Sequence, residues 1–396
     1  MVHWYVNPDN GGQLELAEKC SVQGKFRLEV SVLPNDATQQ REQLVRRLAA
    51  EDRSIDLMSL DPPFVAELAN AGFLMPFDSA AEAELSDGVL EGALGSARWN
   101  GRLVAAPFWA NTQLLWYRKS IAKKAGLELE EAVTWSELIG AALQTGTTVE
   151  VQGRRYEGYM VWINALVQSA GGSILVNPQA GKDAIPGIDS EAGRAAAGII
   201  RELARSRASN PALSTADEEV ARLHFQSERG GFMVNWPYVF GAAGEALAQG
   251  SLTRETYDDI GWARYPRVVA DRPSRPPLGG IHIAISAHSQ NAELALEAVR
   301  CITSAESQKQ YVKRVNVPAA RASVYDDPEV KRAFPMSELV RESLRDAGPR
   351  PLTPYYTDVS VSVVRTFHPP SSVDPESTPG EAAELIAAVL HDLVLL

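Results

Sequence analysis

Strand-like and helix-like runs alternate along the chain, and this alternation constrains the fold more than any other feature of the sequence. Residues 3–6 read as a strand and lead through Asn7-Pro8-Asp9-Asn10-Gly11-Gly12 into a helix over 14–20. Residues 26–32 alternate as a strand, and 38–50 form a helix with Leu44, Val45 and Leu48 on its inner face. A short buried strand over 55–60 ends at Asp61-Pro62-Pro63, and a helix runs on to Asn70. Residues 103–108 and 113–117 are strand-like, separated by Trp109-Ala110-Asn111-Thr112. Helices are expected over 134–144, capped by Thr134, and over 159–169 and 190–205. Gly279-Gly280 opens an alternating strand over 281–285, 292–303 is a further helix, and the tail after Glu381 is helical by pattern. Alternation of this kind predicts α/β domains with largely parallel sheets.

At 396 residues the chain is longer than one typical domain, and two domains of ordinary size fit best. Its net charge is -12, and basic residues cluster no further than pairs such as Arg46-Arg47 and Lys123-Lys124. That argues against nucleic acid or an anionic membrane as partner. No stretch approaches the roughly 18 consecutive apolar residues of a membrane span. The two cysteines, Cys20 and Cys301, make neither a CxxC motif nor a metal site. The proline-rich, charged stretch 264–277 reads as a surface loop. No long flexible linker and no internal repeat stands out, so no domain boundary is clean.

The segment 218–240, EEVARLHFQSERGGFMVNWPYVF, carries the most local information. A helix-length stretch with Val220, Leu223 and Phe225 is expected to end at Gly230-Gly231 in left-handed geometry. A short apolar strand, Phe232-Met233-Val234, breaks off at Asn235-Trp236-Pro237 because proline lacks the amide a ladder needs. Trp236 is thereby left at the strand's carboxyl end, where ligands of open α/β sheets bind. A flat aromatic there is a platform for a ligand with an apolar face, or else an ordinary core tryptophan.

Motifs for catalysis are missing. Gly181-Lys182 resembles the end of a phosphate loop, but Val176 and Asp183 stand where that loop needs glycine and Ser/Thr. There is no GxGxxG, HExxH or GxSxG. The six histidines are scattered, and the nearest pair in strand-end context, His282 and His288, suits hydrogen bonding better than metal. Neither a cofactor nor a metal is expected. Asp61 and Glu218 could act as a paired acid and nucleophile on a glycosidic bond, although carboxylates at element ends more often bind hydroxyls or cap helices. What remains is a set of polar and aromatic residues at element ends: Asp61, Asn111, Glu218, Trp236, the Gly279-Gly280 turn and Arg321. Together they suit a ligand rich in hydroxyls. Carboxylate and amide oxygens accept from hydroxyls, guanidinium donates in a fork, and an indole covers a sugar's C–H face.

On these residues the chain resembles the extracellular solute-binding proteins of carbohydrate ABC transporters. Within them it looks most like the mycobacterial and actinobacterial lipoproteins that capture trehalose. The matching segments are ANTQLLWYR (110–118), EEVARLHF (218–225), VNWPYVF (234–240), GGIHIAI (279–285) and PAARASVY (318–325). The resemblance implies sugar contacts at Asp61, Asn111, Glu218, Trp236, Gly280 and Arg321, with Gln39 or Gln40 as weaker candidates. Pro62-Pro63 after Asp61 and Phe108-Trp109 before Ala110 depart from the family's pattern and flank the inferred pocket.

The implied fold is a two-lobed periplasmic-binding-protein fold of class II, like maltose-binding protein, with ligand in the interlobe cleft. Lobe I would comprise 1–110 plus 281–316, and lobe II 115–277 plus 321–396, with hinge crossings near 109–114, 277–282 and 316–321. The implied function is capture of trehalose by hinge closure for an inner-membrane ABC permease, without catalysis. The alternatives are another small glycoside, such as a maltose-type disaccharide or a glucosylated polyol, and a glycoside hydrolase using Asp61 and Glu218. The protein is expected to be a monomer, extracytoplasmic and lipid-anchored in its native precursor. Met1 is followed at once by strand-like residues, so the leader and its lipid-carrying cysteine are not visible in this chain. Export permits oxidation, and Cys20 and Cys301 fall in the same lobe on this fold, so a disulfide between them is expected.

Overall fold

The apolar runs of the sequence pair into two main sheets in the computed structural model, which describes residues 1–396. Their strands are β1 (Val2–Val6), β2 (Leu28–Val32), β3 (Leu57–Leu60), β4 (Ala106–Thr112), β5 (Leu114–Arg118), β6 (Thr148–Glu150), β7 (Gly230–Asn235), β8 (Ile260–Ala263) and β9 (Leu278–Ile285). One sheet has the order β2-β1-β3-β9-β4 and the other β8-β5-β7-β6. The chain splits correspondingly into two compact units, 1–111 with 278–345 and 352–356, and 112–277 with 346–351 and 357–396.

In the first unit both faces of the sheet are buried, as period-2 alternation requires when each face is covered. Val2, Trp4 and Val6 of β1 and Ile281, Ile283 and Ile285 of β9 pack with the helix Gly12–Cys20 and the helix Ala292–Ile302. Tyr5, Met58 and Ala284 point the other way, into a cluster with Leu44 and Leu48 of the helix Ala37–Ala49. A disulfide joins Cys20 to Cys301 and so fastens the first helix to a helix 281 residues later.

The sheets are mixed rather than largely parallel. β1 runs parallel to β2 and β3, but β9 is antiparallel to β3. β9 enters this sheet from the second unit and not through a helical crossover from β3, so nothing imposes a parallel direction on it. In the other sheet β5 is antiparallel to both β7 and β8, and only β6 and β7 are parallel.

The second unit is organised around the helix Glu157–Ser169, buried on nearly every side. Trp162 of that helix lies 5.7 Å from Trp135, whose own helix begins with a capping box between Thr134 and Glu137. Residues 264–277 are irregular, but they are not simply a surface loop. Tyr265 is fully buried, edge-on to Trp135 at 5.9 Å.

Two further expectations from the sequence need correction. The helix Glu218–Phe225 ends five residues before Gly230, which with Gly231 belongs to β7 and has ordinary backbone geometry. Glycine is needed there for space. A Cβ on Gly230 would lie 2.0 Å from the Phe225 carbonyl oxygen, and one on Gly231 would lie 2.3 Å from Thr147 Oγ1. The unit boundaries also differ from the expected ones. The chain changes unit between 111 and 112 and between 277 and 278, but not near 316–321. Residues 321–345 stay with the first unit, because Leu90 donates to the Ala320 carbonyl, Ala322 to that of Gly88, and Lys313 pairs with Glu329. The chain leaves the first unit only at 345/346, returns for 352–356, and departs at 356/357. Arg350 fixes the short 346–351 piece to the second unit through a buried ion pair with Glu157 at 2.6 Å. Tyr356 fixes 352–356 to the first unit, edge-on to Phe64 at 5.5 Å.

Candidate ligand-binding residues

In the first unit, backbone pairing gathers four of the sequence-derived residues around one end of the sheet. Asp61 directly follows β3, whose last residue Leu60 is opposite His282 of β9. Gly280 lies two residues before His282, and its φ of +135° is one that only glycine adopts readily. A Cβ at Gly280 would stand 2.3 Å from the Trp109 carbonyl oxygen, so the missing side chain lets β9 approach β4 just before Asn111. Trp109 is also bridged to Ala319, two residues before Arg321.

The side chains there are held in different ways. Asp61 occupies the N-cap position of the helix Pro62–Asn70, yet its carboxylate does not cap that helix. Pro62 and Pro63 supply no amide hydrogen at the first two helical positions, which leaves Phe64 as the first amide of that turn. Asn111 is buried. Arg321 donates from Nε to the Thr303 carbonyl at 2.8 Å and from Nη1 to the Asp87 carbonyl. Half-buried, its guanidinium titrates below the ordinary arginine range because of lost hydration. Part of its donor fork is therefore committed to the fold. Gln40 is buried and donates to the Pro34 carbonyl at 2.8 Å, whereas Gln39 is exposed on the same helix.

In the second unit, Glu218 and Trp236 are brought together by Asn235, the last residue of β7. Asn235 Nδ2 donates to the Glu218 carbonyl at 3.0 Å, and its Oδ1 accepts from the Trp236 amide at 2.8 Å. Trp236 is half-buried between β7 and the helix Tyr238–Ala248, while Trp4, Trp116, Trp135 and Trp162 are fully buried. Glu218 opens its helix behind the Asp217 cap, and its Oε2 accepts from the Tyr156 hydroxyl at 2.6 Å. Lost hydration raises the Glu218 carboxyl above the usual carboxylate range, and the bond from Tyr156 partly offsets the rise. Burial and the adjoining Glu218 together push the Tyr156 phenol well up, so the shared proton stays on tyrosine. Arg154 stacks over the Tyr156 ring at 4.3 Å and pairs with Asp217 at 3.0 Å. Glu219 is held by Arg222 and accepts from Tyr238 at 2.6 Å.

Sequence reasoning missed Tyr156, Asn235 and Tyr238. Tyr156 sits in the polar run Arg154-Arg155-Tyr156-Glu157-Gly158, an aromatic residue between strand and helix that could have been marked. His282 is a core residue, as a hydrogen-bonding histidine would be. Its Nε2 lies 2.8 Å from Ser96 Oγ, and burial holds the imidazole down to about 3.

Comparison with known proteins agrees with this architecture. The family model described as "Bacterial extracellular solute-binding protein" matches residues 25–309. A "Probable ABC transporter-binding protein" of Deinococcus radiodurans is 30% identical over 304 residues, covering 73% of this chain and 69% of its own length. The solved structure of maltose-bound MalE3 of T. maritima is similar over 99% of both chains, with a TM-score of 0.83 and 26% identity. The GacH receptor of Streptomyces glaucescens, solved without ligand and with acarbose, shares the fold with a TM-score of 0.81 at 23% identity, over 99% of this chain and 97% of its own.

Proposed function

The chain belongs to the bacterial extracellular solute-binding proteins of ABC transporters, and we propose that within this family it captures trehalose or a closely related disaccharide. Proteins of this family bind solutes outside the cytoplasmic membrane and do not transform them. No helix of the chain is long and apolar enough to cross a membrane. On this reading the protein is lipid-anchored in its precursor and passes its sugar, as a monomer, to an inner-membrane permease.

The observation that carries the reading is the double hydrogen bond of Asn235, which ties the backbone of Glu218 to that of Trp236, two residues that carry an acceptor carboxylate and a half-buried indole. A glucose ring needs that combination: C–H groups on one face for the indole, and hydroxyls at the rim for the carboxylate. Asp61, Asn111 and Arg321 supply a further carboxylate, an amide and a cation from the first unit, beside the close approach at Gly280. Gln39 is exposed and available to ligand, while Gln40 is occupied by Pro34. Because both units contribute, binding is proposed to draw them together about the hinge segments. The maltose bound to the T. maritima relative supports a disaccharide as the size class.

A thermal-shift panel of trehalose, maltose, a glucosylated polyol and monosaccharides tests the proposal. A ligand present at a hundredfold above its Kd adds about 2.7 kcal/mol of stability. Stabilisation by trehalose is the expected result. Stabilisation by maltose alone would move the assignment to a maltose-type disaccharide, and no shift with any sugar would overturn it. Release of free glucose on incubation would point instead to hydrolysis by Asp61 and Glu218.

A further inference from the structure

The carboxylate of Glu218 has an uncommon set of supports. Arginines accompany both neighbouring acids, Arg154 at Asp217 and Arg222 at Glu219, but no cation forms an ion pair with Glu218. Its side-chain partner is a neutral phenol, that of Tyr156. That phenol is itself built in. Arg154 covers its ring, and Gly158 makes room for its hydroxyl, since a Cβ on Gly158 would stand 2.1 Å from the oxygen and 2.3 Å from Cζ. Gly158 lies in the first turn of the helix Glu157–Ser169, where glycine weakens the helix relative to alanine, and its φ is not positive. Space for Tyr156 is thus the local reason for this glycine.

We propose that Tyr156, seated on Gly158 beneath Arg154, is a positioning residue that aims Glu218 at the ligand and makes this end of the site accept only hydroxyl donors. The inference rests on the reading of Glu218 as a sugar contact. Tyr156 spends its single proton on Oε2, which leaves Oε1 and the phenol oxygen as acceptors. The pair therefore offers acceptors and no donor. A hydroxyl can donate to it, whereas a phosphate or carboxylate on the sugar would meet a carboxylate with no cation of its own. An arginine in the place of Tyr156 would have the opposite effect. This end of the site consequently favours a neutral sugar over its phosphorylated or uronic counterpart.

The test compares the parent with Tyr156→Phe, Gly158→Ala and Glu218→Ala, using trehalose and trehalose 6-phosphate in calorimetry across pH 4–8. Carbon-13 titration of the carboxyl groups in the ligand-free proteins accompanies it. The other charged and titratable groups around Glu218 are Asp217, Glu219 and Arg222 on its own segment, Arg154 before the Glu157–Ser169 helix, and Tyr238 beyond Trp236. All of them are unchanged in Tyr156→Phe and Gly158→Ala. Both variants are expected to weaken trehalose about tenfold at pH 7, the loss of one hydrogen bond to a charged group. Both should also move the Glu218 titration, and with it the acid limb of binding, to higher pH, because the bond that favours the ionised form is gone. A merely structural tyrosine would lower affinity without moving either titration. The parent should bind the phosphorylated sugar at least a hundredfold more weakly than trehalose. An unmoved Glu218 titration in Tyr156→Phe overturns the positioning role even if affinity falls, and equal binding of the two sugars overturns the selectivity. If Glu218→Ala binds like the parent, the assignment of Glu218 as a contact fails first, and this inference fails with it.

Discussion

Replacing Gly280 by alanine should damage stability and binding together, and the structure sets the scale of both effects. The residue combines a φ of +135° with a neighbour, the Trp109 carbonyl oxygen, that would lie 2.3 Å from the new Cβ. Holding a non-glycine residue in so sparsely populated a region costs about 1–3 kcal/mol. Forcing a methyl group into closed packing costs about 1–3 kcal/mol more, since the obstructing atom belongs to the backbone and cannot swing aside. The sum is roughly 2–6 kcal/mol, a large share of a protein's net stability of about 5–15 kcal/mol. Any relief must come from β9 parting from β4 at Trp109-Ala110, which shifts Asn111 at the end of the first unit's main segment. Urea denaturation followed by tryptophan fluorescence measures the stability term, and calorimetry with trehalose measures the binding term. Gly140→Ala is the control. Gly140 lies within the helix Trp135–Thr145 with nothing within 4 Å of its would-be Cβ, so alanine should stabilise by about 0.5–1 kcal/mol. A Gly280→Ala protein less than about 1 kcal/mol below the parent, with trehalose affinity intact, would refute the close approach and its bearing on the site.

Glu218→Ala should weaken trehalose by roughly 1–3 kcal/mol, and Trp236→Ala should weaken it by removing the stacking face, both leaving the melting temperature of the ligand-free protein near that of the parent; calorimetry checks this, with the exposed His224→Ala as a neutral control. Replacing Cys20 and Cys301 together by serine opens a closure 281 residues long, for which the chain-entropy relation gives an upper figure of ~5.6 kcal/mol. Urea midpoints of oxidised parent and double variant read the difference, and a loss under about 1 kcal/mol would rule that mechanism out. His282 is buried neutral and titrates near 3 in the fold against 6.5 when unfolded, so the unfolded chain takes up its proton first as pH falls. Its contribution is fully present above pH 6.5 and is lost progressively toward pH 3. His282→Gln should flatten stability over that window in urea titrations at stepped pH.

Much of this was legible because it depends on residue type along the chain. The alternating run 281–285 declared a strand, though not that both its faces are buried, and Asn235-Trp236-Pro237 declared where β7 must stop. Thr134 announced a helix start, and the structure adds Glu137, whose reciprocal bond completes a capping box. What failed depends on atoms that meet from distant places. Gly230-Gly231 has the sequence of a helix end, but its role is to let β7 run close to Phe225 and Thr147. Strand direction in the sheets follows from the path the chain takes through the other unit, and no local pattern records that path. The change of unit at 345/346 was likewise hidden, because the bonds that retain 321–345 run to Gly88, to Leu90 and between charged side chains on neighbouring helices.

The candidate site shows the same division at finer grain. Glu218 and Trp236 stand out in the sequence as an acid at a helix start and an aromatic at a strand end. The residues that give them direction, Asn235 and Tyr156, carry no signature of their own. A tyrosine between strand and helix has many uses, and the glycine two positions later looks like an ordinary weak point in a helix. Only their conjunction is specific: a phenol whose hydroxyl occupies the space of the Cβ that Gly158 lacks, 2.6 Å from a carboxylate with no ion-pair partner. Gly230, Gly231 and Gly280 obey the same rule, each marking a place where another group comes too near for a side chain. At these four positions the glycine signals an approaching atom, unlike Gly140, and identifying that atom converts the residue from a break in a pattern into a statement about its surroundings.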